Sequence, residues 1–204
     1  AGSFVDVAAG EYTFSLETDS KIYRQPVIVA SVIIDSEDEF LQIYDNLKTD
    51  VVGTYDGYVL LAADLNFDGM KYNKSPWNVE GFCTLTYDTD MGNLADADWN
   101  AMDSSTGFCG TFDGRGHSIS NLTLRTYGLF VRLAESGTVR NVSFLDCIFN
   151  GDDTATVAKY NEGTIDNVFV TVKTLPASGK VRSGALCENN SGTIKGCLVY
   201  YYGI

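Results

Sequence analysis

The segment TIDNVFV (164–170) decides the fold, because related segments stand elsewhere in the second half of the chain: SISNLTL (118–124), TVRNVSF (138–144) and TIKGCLV (193–199). The shared pattern is apolar, any, Asn, apolar, any, apolar. Its first apolar position holds Ile119, Val139, Ile165 and Ile194, at intervals of 20, 26 and 29 residues. Short β-branched runs of this kind predict strands whose apolar residues face one side.

The Asn position of the pattern indicates a corner in each strand. It holds Asn121, Asn141, Asn167 and, in the last segment, Gly196. Asn and Gly enter the left-handed backbone region at low cost. We therefore expect a corner at each of these residues, with Asn side chains hydrogen-bonded from one layer to the next.

A second recurring piece lies upstream of three of these strands: GLFVRLAESGT (128–138), ATVAKYNEGT (155–164) and GALCENNSGT (184–193). Each predicts a short strand followed by a polar turn that ends in Gly-Thr. One layer is then a strand, a glycine turn, a second strand bent at Asn, and a variable loop. A repeat of about 20–29 residues with two or three strands is typical of a β-solenoid. The sequence therefore predicts an all-β chain folded as a parallel β-helix.

The only histidine, His117, stands in FCGTFDGRGHSISNLTL (108–124). We interpret this stretch as the first repeat, with Gly110, Gly114 and Gly116 in a turn that leads into the strand at Ile119. A phosphate-binding loop is disfavoured because no Lys-Ser or Lys-Thr follows the glycines. No second histidine or cysteine pattern completes a site around His117.

The stretch GTFDGRGHSISNL (110–122), followed by GLF (128–130) and GTVRNV (137–142), resembles the GLUG repeat of bacterial cell-surface, adhesin-like proteins. DGYVLLAADLNFDG (56–69) resembles the strand that precedes such repeats. The resemblance covers about residues 36–204. It implies a right-handed parallel β-helix displayed outside a bacterial cell, in large adhesin-like proteins or beside the peptidase of IgA-cleaving enzymes, with no catalytic role for the repeats.

The chain divides into a small N-terminal part and the solenoid. We expect residues 1–35 to form a β segment, either a cap or the tail of a preceding domain, and residues 36–204 to form the β-helix domain with an insertion at about 70–107. Residues 36–48 predict a capping helix, because Ser36 and Glu39 form a capping-box signature and four apolar residues share one face. These are Phe40, Ile43, Tyr44 and Leu47. A partner-binding helix is the alternative. The last repeat has no evident cap, so we expect a longer chain or an assembly contact there.

Charge and cysteine content disfavour several classes of protein. The net charge of -13, with only 14 Lys and Arg, disfavours nucleic acid and anionic membranes as partners. No apolar run reaches the roughly 18 residues of a membrane span, and the chain opens with no recognisable signal peptide. Five cysteines without a CxxC, and a single histidine, disfavour zinc. A bridge between Cys83 and Cys109 stays open, and Cys197 replaces an apolar residue at an inward position.

No catalytic, cofactor-binding or metal-binding residue is assigned, but two stretches are candidates for ligand binding. DLNFDG (64–69) has the spacing of half a calcium loop, with Asp64, Asn66 and Asp68 as ligands. Ser75 stands where a bidentate Glu is needed, so a strand of the β-helix is the favoured interpretation. The stretch 87–105 is either a solvated loop or a cation or sugar site. Its acidic and aromatic residues include Asp88, Asp90, Asp96, Asp98, Trp99 and Asp103. The glycosylation sequons at Asn121 and Asn141 fall on predicted corners, which disfavours modification there.

These observations favour a non-enzymatic extracellular surface module, a rigid β-helical rod for adhesion, ligand display or surface assembly. Its partner is unknown: a glycan or protein of a host or of a neighbouring surface. A phage or virion fibre or decoration protein is one alternative, and a carbohydrate-active β-helix enzyme is another. Glycoside hydrolysis needs two carboxylates at a defined separation. The repeats offer only Asp146 and Asp166, which we expect to point outward.

Overall fold

The computed structural model describes residues 7–40, 54–55, 57–68, 107–124, 128–149, 155–174 and 184–202. These residues form an all-β parallel solenoid, preceded by an antiparallel hairpin, with a helical turn at 37–40. The strands are β1 (Gly10–Glu17), β2 (Ile22–Val29), β3 (Val32–Ile34), β4 (Thr54–Tyr55), β5 (Tyr58–Leu61), β6 (Leu65–Asn66), β7 (Gly107–Phe108), β8 (Thr111–Asp113), β9 (Ser118–Ser120), β10 (Thr123–Leu124), β11 (Phe130–Leu133), β12 (Thr138–Phe149), β13 (Ala158–Asn161), β14 (Thr164–Thr174), β15 (Cys187–Asn190), β16 (Thr193–Lys195) and β17 (Leu198–Tyr201). The expected insertion lies, up to residue 106, outside the described residues.

Two parallel sheets form the walls of the solenoid. The longer sheet has the order β16-β14-β12-β8-β5-β3, with β6, β9, β10 and β17 attached to this path. The shorter sheet has the order β15-β13-β11-β7-β4. The described pairings within both sheets are parallel, so each coil lies on the previous one in the same direction. The predicted parallel β-helix is confirmed.

The predicted Asn and Gly corners are also confirmed. The backbone φ is 53° at Asn141, 53° at Asn167 and 62° at Gly196, all in the left-handed region. The side-chain amide of Asn167 donates from Nδ2 to the Oδ1 of Asn141 at 2.9 Å. The expected Asn ladder therefore links these two coils.

The register of the first repeat differs from the sequence expectation. Val139 pairs with Phe112 and not with Ile119, which pairs instead with Phe144. The later layers follow the expected register, as in the pairing of Val139 with Ile165. The first interval is therefore 27 residues rather than 20, and the next two are 26 and 29.

A second corner in each coil explains this shift. In β12 the second corner is Asp146, with φ of 56°, and Asn121, with φ of 60°, occupies the same position one coil earlier. Both corners accept the same residue types. Alignment of the repeats on their Asn residues therefore places Asn121, at the second corner of its coil, opposite Asn141, at the first corner of the next coil. Thr111–Asp113, expected within a turn, is strand β8. Two extra residues widen the corner that follows it, where φ is 53° at Arg115 and 88° at Gly116.

Inward apolar side chains form one core along the solenoid. Ile119, Phe144 and Val170 stand in one column, and each has 0% of its surface exposed. Burying a side chain of this size stabilises the fold by about 1.5–3 kcal/mol. Cys147 is fully buried in the same core, and Cys197 packs against it, as its inward position predicts.

The glycines of the Gly-Thr turns are required by the close approach of successive coils. A Cβ on Gly163 would lie 2.3 Å from the carbonyl oxygen of Gly137, and one on Gly192 would lie 2.2 Å from that of Gly163. A Cβ on Gly137 would lie 2.2 Å from the carbonyl oxygen of Phe108. Only a residue without a side chain fits at these positions.

The helical turn at 37–40 lies against the first coils. Ser36 Oγ accepts the backbone N–H of Glu39 at 3.4 Å, and Glu39 Oε2 accepts that of Asp35 at 2.8 Å. This is the predicted capping box with its return bond shifted by one residue. Phe40 is fully buried, with its ring centroid 5.6 Å from that of Phe67. The predicted helix beyond residue 40 lies outside the described residues. Strand β3 already belongs to the longer sheet, so the solenoid begins before residue 36.

Candidate functional site

A polar cluster lies where the hairpin β1–β2 meets the solenoid. It consists of Glu11, Tyr58, Asp113 and Arg140. Arg140 donates to Asp113 Oδ2 from Nε at 3.0 Å and from a terminal nitrogen at 2.9 Å. The same terminal nitrogen donates to Glu11 and to the hydroxyl of Tyr58. That hydroxyl lies 2.9 Å from Asp113 Oδ2 and 3.0 Å from Glu11 Oε1.

The parallel register brings three of these side chains together. Arg140 on β12 stands opposite Asp113 on β8. Tyr58 on β5 stands opposite Thr111, and residues two apart on a strand point to the same face. Glu11 comes from the hairpin, 129 residues from Arg140 in the chain. The sequence does not reveal this cluster, because no local pattern connects the hairpin to the repeats.

Asp113 has no acceptor capacity left for a metal ion or a substrate. Its Oδ1 accepts the backbone N–H of Arg115 at 2.9 Å and Nδ2 of Asn141 at 3.2 Å, while Oδ2 accepts from Tyr58 and Arg140. Only 3% of Asp113 is exposed. Burial, and then the hydrogen bond to Asp113, raise the pKa of Tyr58, which keeps its phenol protonated as a donor. The geometry fits a clasp that holds the hairpin on the solenoid.

His117 takes part in a second contact between coils. Asp64 Oδ1 accepts the backbone N–H of Ser118 at 2.7 Å and lies 3.3 Å from Nδ1 of His117. The hydrogen bond from the Ser118 backbone is the main cause that lowers the pKa of Asp64. Asp64 therefore links β9 to the coil before it, and the interpretation of His117 as part of a structural turn fits this geometry.

The Asn side chains at the corners form hydrogen bonds with other residues of the solenoid. Asn66 Oδ1 accepts from Nδ2 of Asn121 at 2.8 Å and from the backbone N–H of Asp68 at 3.0 Å. Asn141 donates from its own Nδ2 to Asp113. A glycan would attach to these same Nδ2 atoms, so the geometry favours corners over sequons. Asn66 lies on β6, which fits the strand interpretation of this stretch. Within the described residues, no three metal-ligating side chains come together.

Outward residues of the longer sheet form a column of alternating charge. Asp113, Arg140, Asp166 and Lys195 stand in register on successive coils. Lys195 Nζ lies 3.2 Å from Asp166 Oδ2. The third position of TFDG, TVRN, TIDN and TIKG carries this alternation in the sequence. Asp166 is thus ion-paired, and the other candidate acid, Asp146, accepts a hydrogen bond from the hydroxyl of Tyr202.

Several sequence candidates lie outside the described residues. These are the acidic stretch 87–105, Ser75 and Cys83, so the sugar or cation site and the bridge from Cys83 to Cys109 stay predictions. Cys109 itself is half-buried. In the part of the chain that is described, no helix is long and apolar enough to cross a membrane.

One exposed apolar surface belongs to the hairpin. Tyr12, Phe14 and Leu16 point to one face of β1, and Tyr23 and Val27 of the paired strand share that face. Their exposed fractions range from 37% to 55%. Leu198 and Tyr200 on β17 are also exposed, at 63% and 59%.

Comparison with known proteins gives one partial similarity. Halomucin of Haloquadratum walsbyi is 34% identical to this chain over 103 residues. The match covers 43% of this chain and 1% of halomucin. No family model matches, and no solved structure gives a significant match. The chain is therefore similar to a small part of a cell-surface protein from an archaeon.

Proposed function

We propose that this chain is a non-enzymatic module of a cell-surface protein, in which a rigid β-helical rod serves adhesion, ligand display or surface assembly. The observation that carries the proposal is the similarity to part of halomucin in a chain that folds as a parallel solenoid. In a solenoid each coil contacts only its neighbours, so coils add length while the backbone stays fully paired. Such a rod suits a protein that presents loops at a distance from a surface.

The contacts of the acidic side chains support the non-enzymatic part of the proposal. Glycoside hydrolysis needs one carboxyl group that gives a proton to the sugar and a second that acts as nucleophile or base. Asp113 is saturated by donors, Asp166 is ion-paired to Lys195, and Asp146 is bonded to Tyr202. Each of these acids contributes to contacts between coils.

The coils of the proposed rod are repeats of the GLUG type. Its motif at 110–122 corresponds to β8, the wide corner and β9, which are stacked parts of the solenoid. The resemblance to GLUG repeats implies a bacterial cell, whereas halomucin comes from an archaeon. The proposed location is therefore the outside of a microbial cell, with the kind of microbe left unspecified. The proposed partner is a glycan or protein on a host or neighbouring surface.

Two measurements on the 204-residue chain test this function. Antibodies raised against it should label intact, unpermeabilised cells of the source organism, and labelling only after permeabilisation would contradict the surface location. A glycan array, with and without EDTA, should give binding without release of product. Turnover of any polysaccharide in the array would contradict the non-enzymatic reading.

A further inference from the structure

The hairpin β1–β2 turns its apolar face away from the solenoid. At the base of the hairpin, Glu11 bonds to Arg140 and to Tyr58 on the wall of the solenoid. Neighbouring residues on a strand point to opposite faces, so Tyr12 points away from this contact. The outward face consists of five apolar or aromatic side chains that are 37% to 55% exposed: Tyr12, Phe14, Leu16, Tyr23 and Val27. An antiparallel sheet usually buries its apolar face, and an exposed apolar face of this kind marks a surface for interaction.

The outward face carries no charged residue within the described hairpin. Glu11, Glu17 and Arg24 lie on the opposite face, and Asp19 and Lys21 lie in the connection between the two strands. Three acids and two bases give residues 10–29 a net charge of -1, whereas the whole chain has a net charge of -13. The net charges of two copies oppose their approach, but the copies can meet at this face without burying an unpaired charge.

The area of the outward face is close to what a pair of hairpins needs. A fully covered Tyr or Phe side chain buries about 150–250 Å². Roughly half of each of the five side chains is exposed, which gives about 100 Å² per residue and about 500 Å² per copy. Two such faces together bury about 1,000 Å², the lower bound of a specific protein–protein interface. An isolated two-stranded hairpin is only marginally stable, and a second apolar layer would give it the core of a small sandwich.

We propose that the outward face of the hairpin is a homodimer interface, in which the hairpins of two copies of this chain pack face to face about a twofold axis. The same patch serves both copies, so the contact closes as a dimer and does not propagate. The bond of Glu11 to Arg140 holds the opposite face toward the solenoid, which leaves the outward face available to the second copy. The inference does not rest on the proposed cell-surface location, because the 204-residue chain would dimerise in solution as well.

Two other ways of using the hairpin fit the observations less well. An anionic membrane is disfavoured by the net charge of -13. A strand added at the edge of the hairpin would extend the sheet in its own plane and would leave the outward face uncovered. Pro26 on β2 also has no N–H to donate to a further strand. Packing against the face of a second hairpin is the arrangement that covers the apolar side chains.

Sedimentation equilibrium of the 204-residue protein and of two matched variants tests the proposal. Leu16→Ser removes an apolar side chain, 54% exposed, from the outward face, and Ile22→Ser removes one, 57% exposed, from the opposite face. We expect the native chain to dimerise with a Kd of about 1–100 µM. Leu16→Ser should weaken the dimer roughly 10- to 100-fold, whereas Ile22→Ser should stay within about 3-fold of the native Kd. Added salt should strengthen the native dimer, because it screens the repulsion between the net charges of the two copies.

A photo-crosslink keeps the test valid if either Ser variant loosens the hairpin. Benzoylphenylalanine in place of Gln25, on the outward face, should crosslink two copies, whereas the same group in place of Arg24, on the opposite face, should not. A monomer at every concentration up to about 1 mM would overturn the proposal. A dimer that Leu16→Ser leaves intact, or that Ile22→Ser weakens equally, would also overturn it, as would equal crosslinking from both positions.

Discussion

Replacing Gly163 by Ala tests the packing of the Gly-Thr turns. The new Cβ would lie 2.3 Å from the carbonyl oxygen of Gly137 and 2.4 Å from that of Ala134, and both are backbone atoms. Relief to a normal contact requires the coils to separate locally by about 1 Å. The hydrogen bonds at risk run from the N–H of Thr164 to Gly137, at 2.9 Å, and from that of Gly163 to Leu133, at 3.2 Å.

The expected loss of stability follows from these contacts. Each backbone hydrogen bond contributes about 0.5–1.5 kcal/mol net, and the strained contacts of the Cβ add to this. We expect Gly163→Ala to lower the free energy of unfolding by about 2–4 kcal/mol, a large share of the roughly 5–15 kcal/mol of a typical domain. Urea unfolding followed by far-UV circular dichroism measures the change.

Gly116→Ala is the matched control for this experiment. Gly116 has φ of 88°, but a Cβ there meets nothing within 4 Å. The substitution therefore carries only backbone strain, about 1–2 kcal/mol. If Gly163→Ala costs no more than Gly116→Ala, the coils are not in the contact described, and the argument from close approach is refuted.

Three further predictions concern the corner, the clasp and the acid limb of stability. Gly196→Asn should be neutral or slightly stabilising, because Asn tolerates the φ of 62° and extends the side-chain ladder. Gly196→Ala should lower the free energy of unfolding by about 1 kcal/mol, and thermal unfolding distinguishes the two variants. Arg140→Met should lower the free energy of unfolding by about 3–5 kcal/mol, because it leaves Asp113 buried without its cation. It should also speed amide hydrogen exchange in β1 and β2, and unchanged slow exchange there would contradict the role of this cluster in holding the hairpin. Asp64 has a lowered pKa, so its contribution is present above its unfolded pKa of about 4 and is lost as the pH falls through its lower folded pKa. Asp64→Asn should therefore reduce the fall in the free energy of unfolding below about pH 4. Unfolding measured across this pH range checks the prediction, and an unchanged fall would contradict it.

Local backbone chemistry made much of the solenoid predictable. Few residues adopt a left-handed corner, so Asn141, Asn167 and Gly196 marked the bends, and the apolar positions around them marked the inward face. The register of the first repeat was not predictable in this way. Both corners of a coil accept Asn or Asp, so the residue type does not distinguish them. The two-residue insertion around Arg115 also changes the spacing of the apolar residues, which would otherwise identify the first corner.

The repeat pattern in the sequence does not predict the contacts between distant segments. Glu11 has no repeat-related position, so its bond to Arg140 depends on how the hairpin lies on the solenoid. The charge column was different, since its alternation is visible in the third position of each repeat once the register is known. The sequence predicts that Asp166 points outward, but the ion pair of Asp166 with Lys195 is visible only in the structure.

The most direct test of the stacked solenoid is the measurement of contacts between backbone protons by NMR. The structure predicts nuclear Overhauser effects between β8 and β12 that pair Phe112 with Val139, and between β9 and β12 that pair Ile119 with Phe144. Contacts between Ile119 and Val139, as the motif spacing alone would place them, would contradict the register and the coil length of 26 to 29 residues.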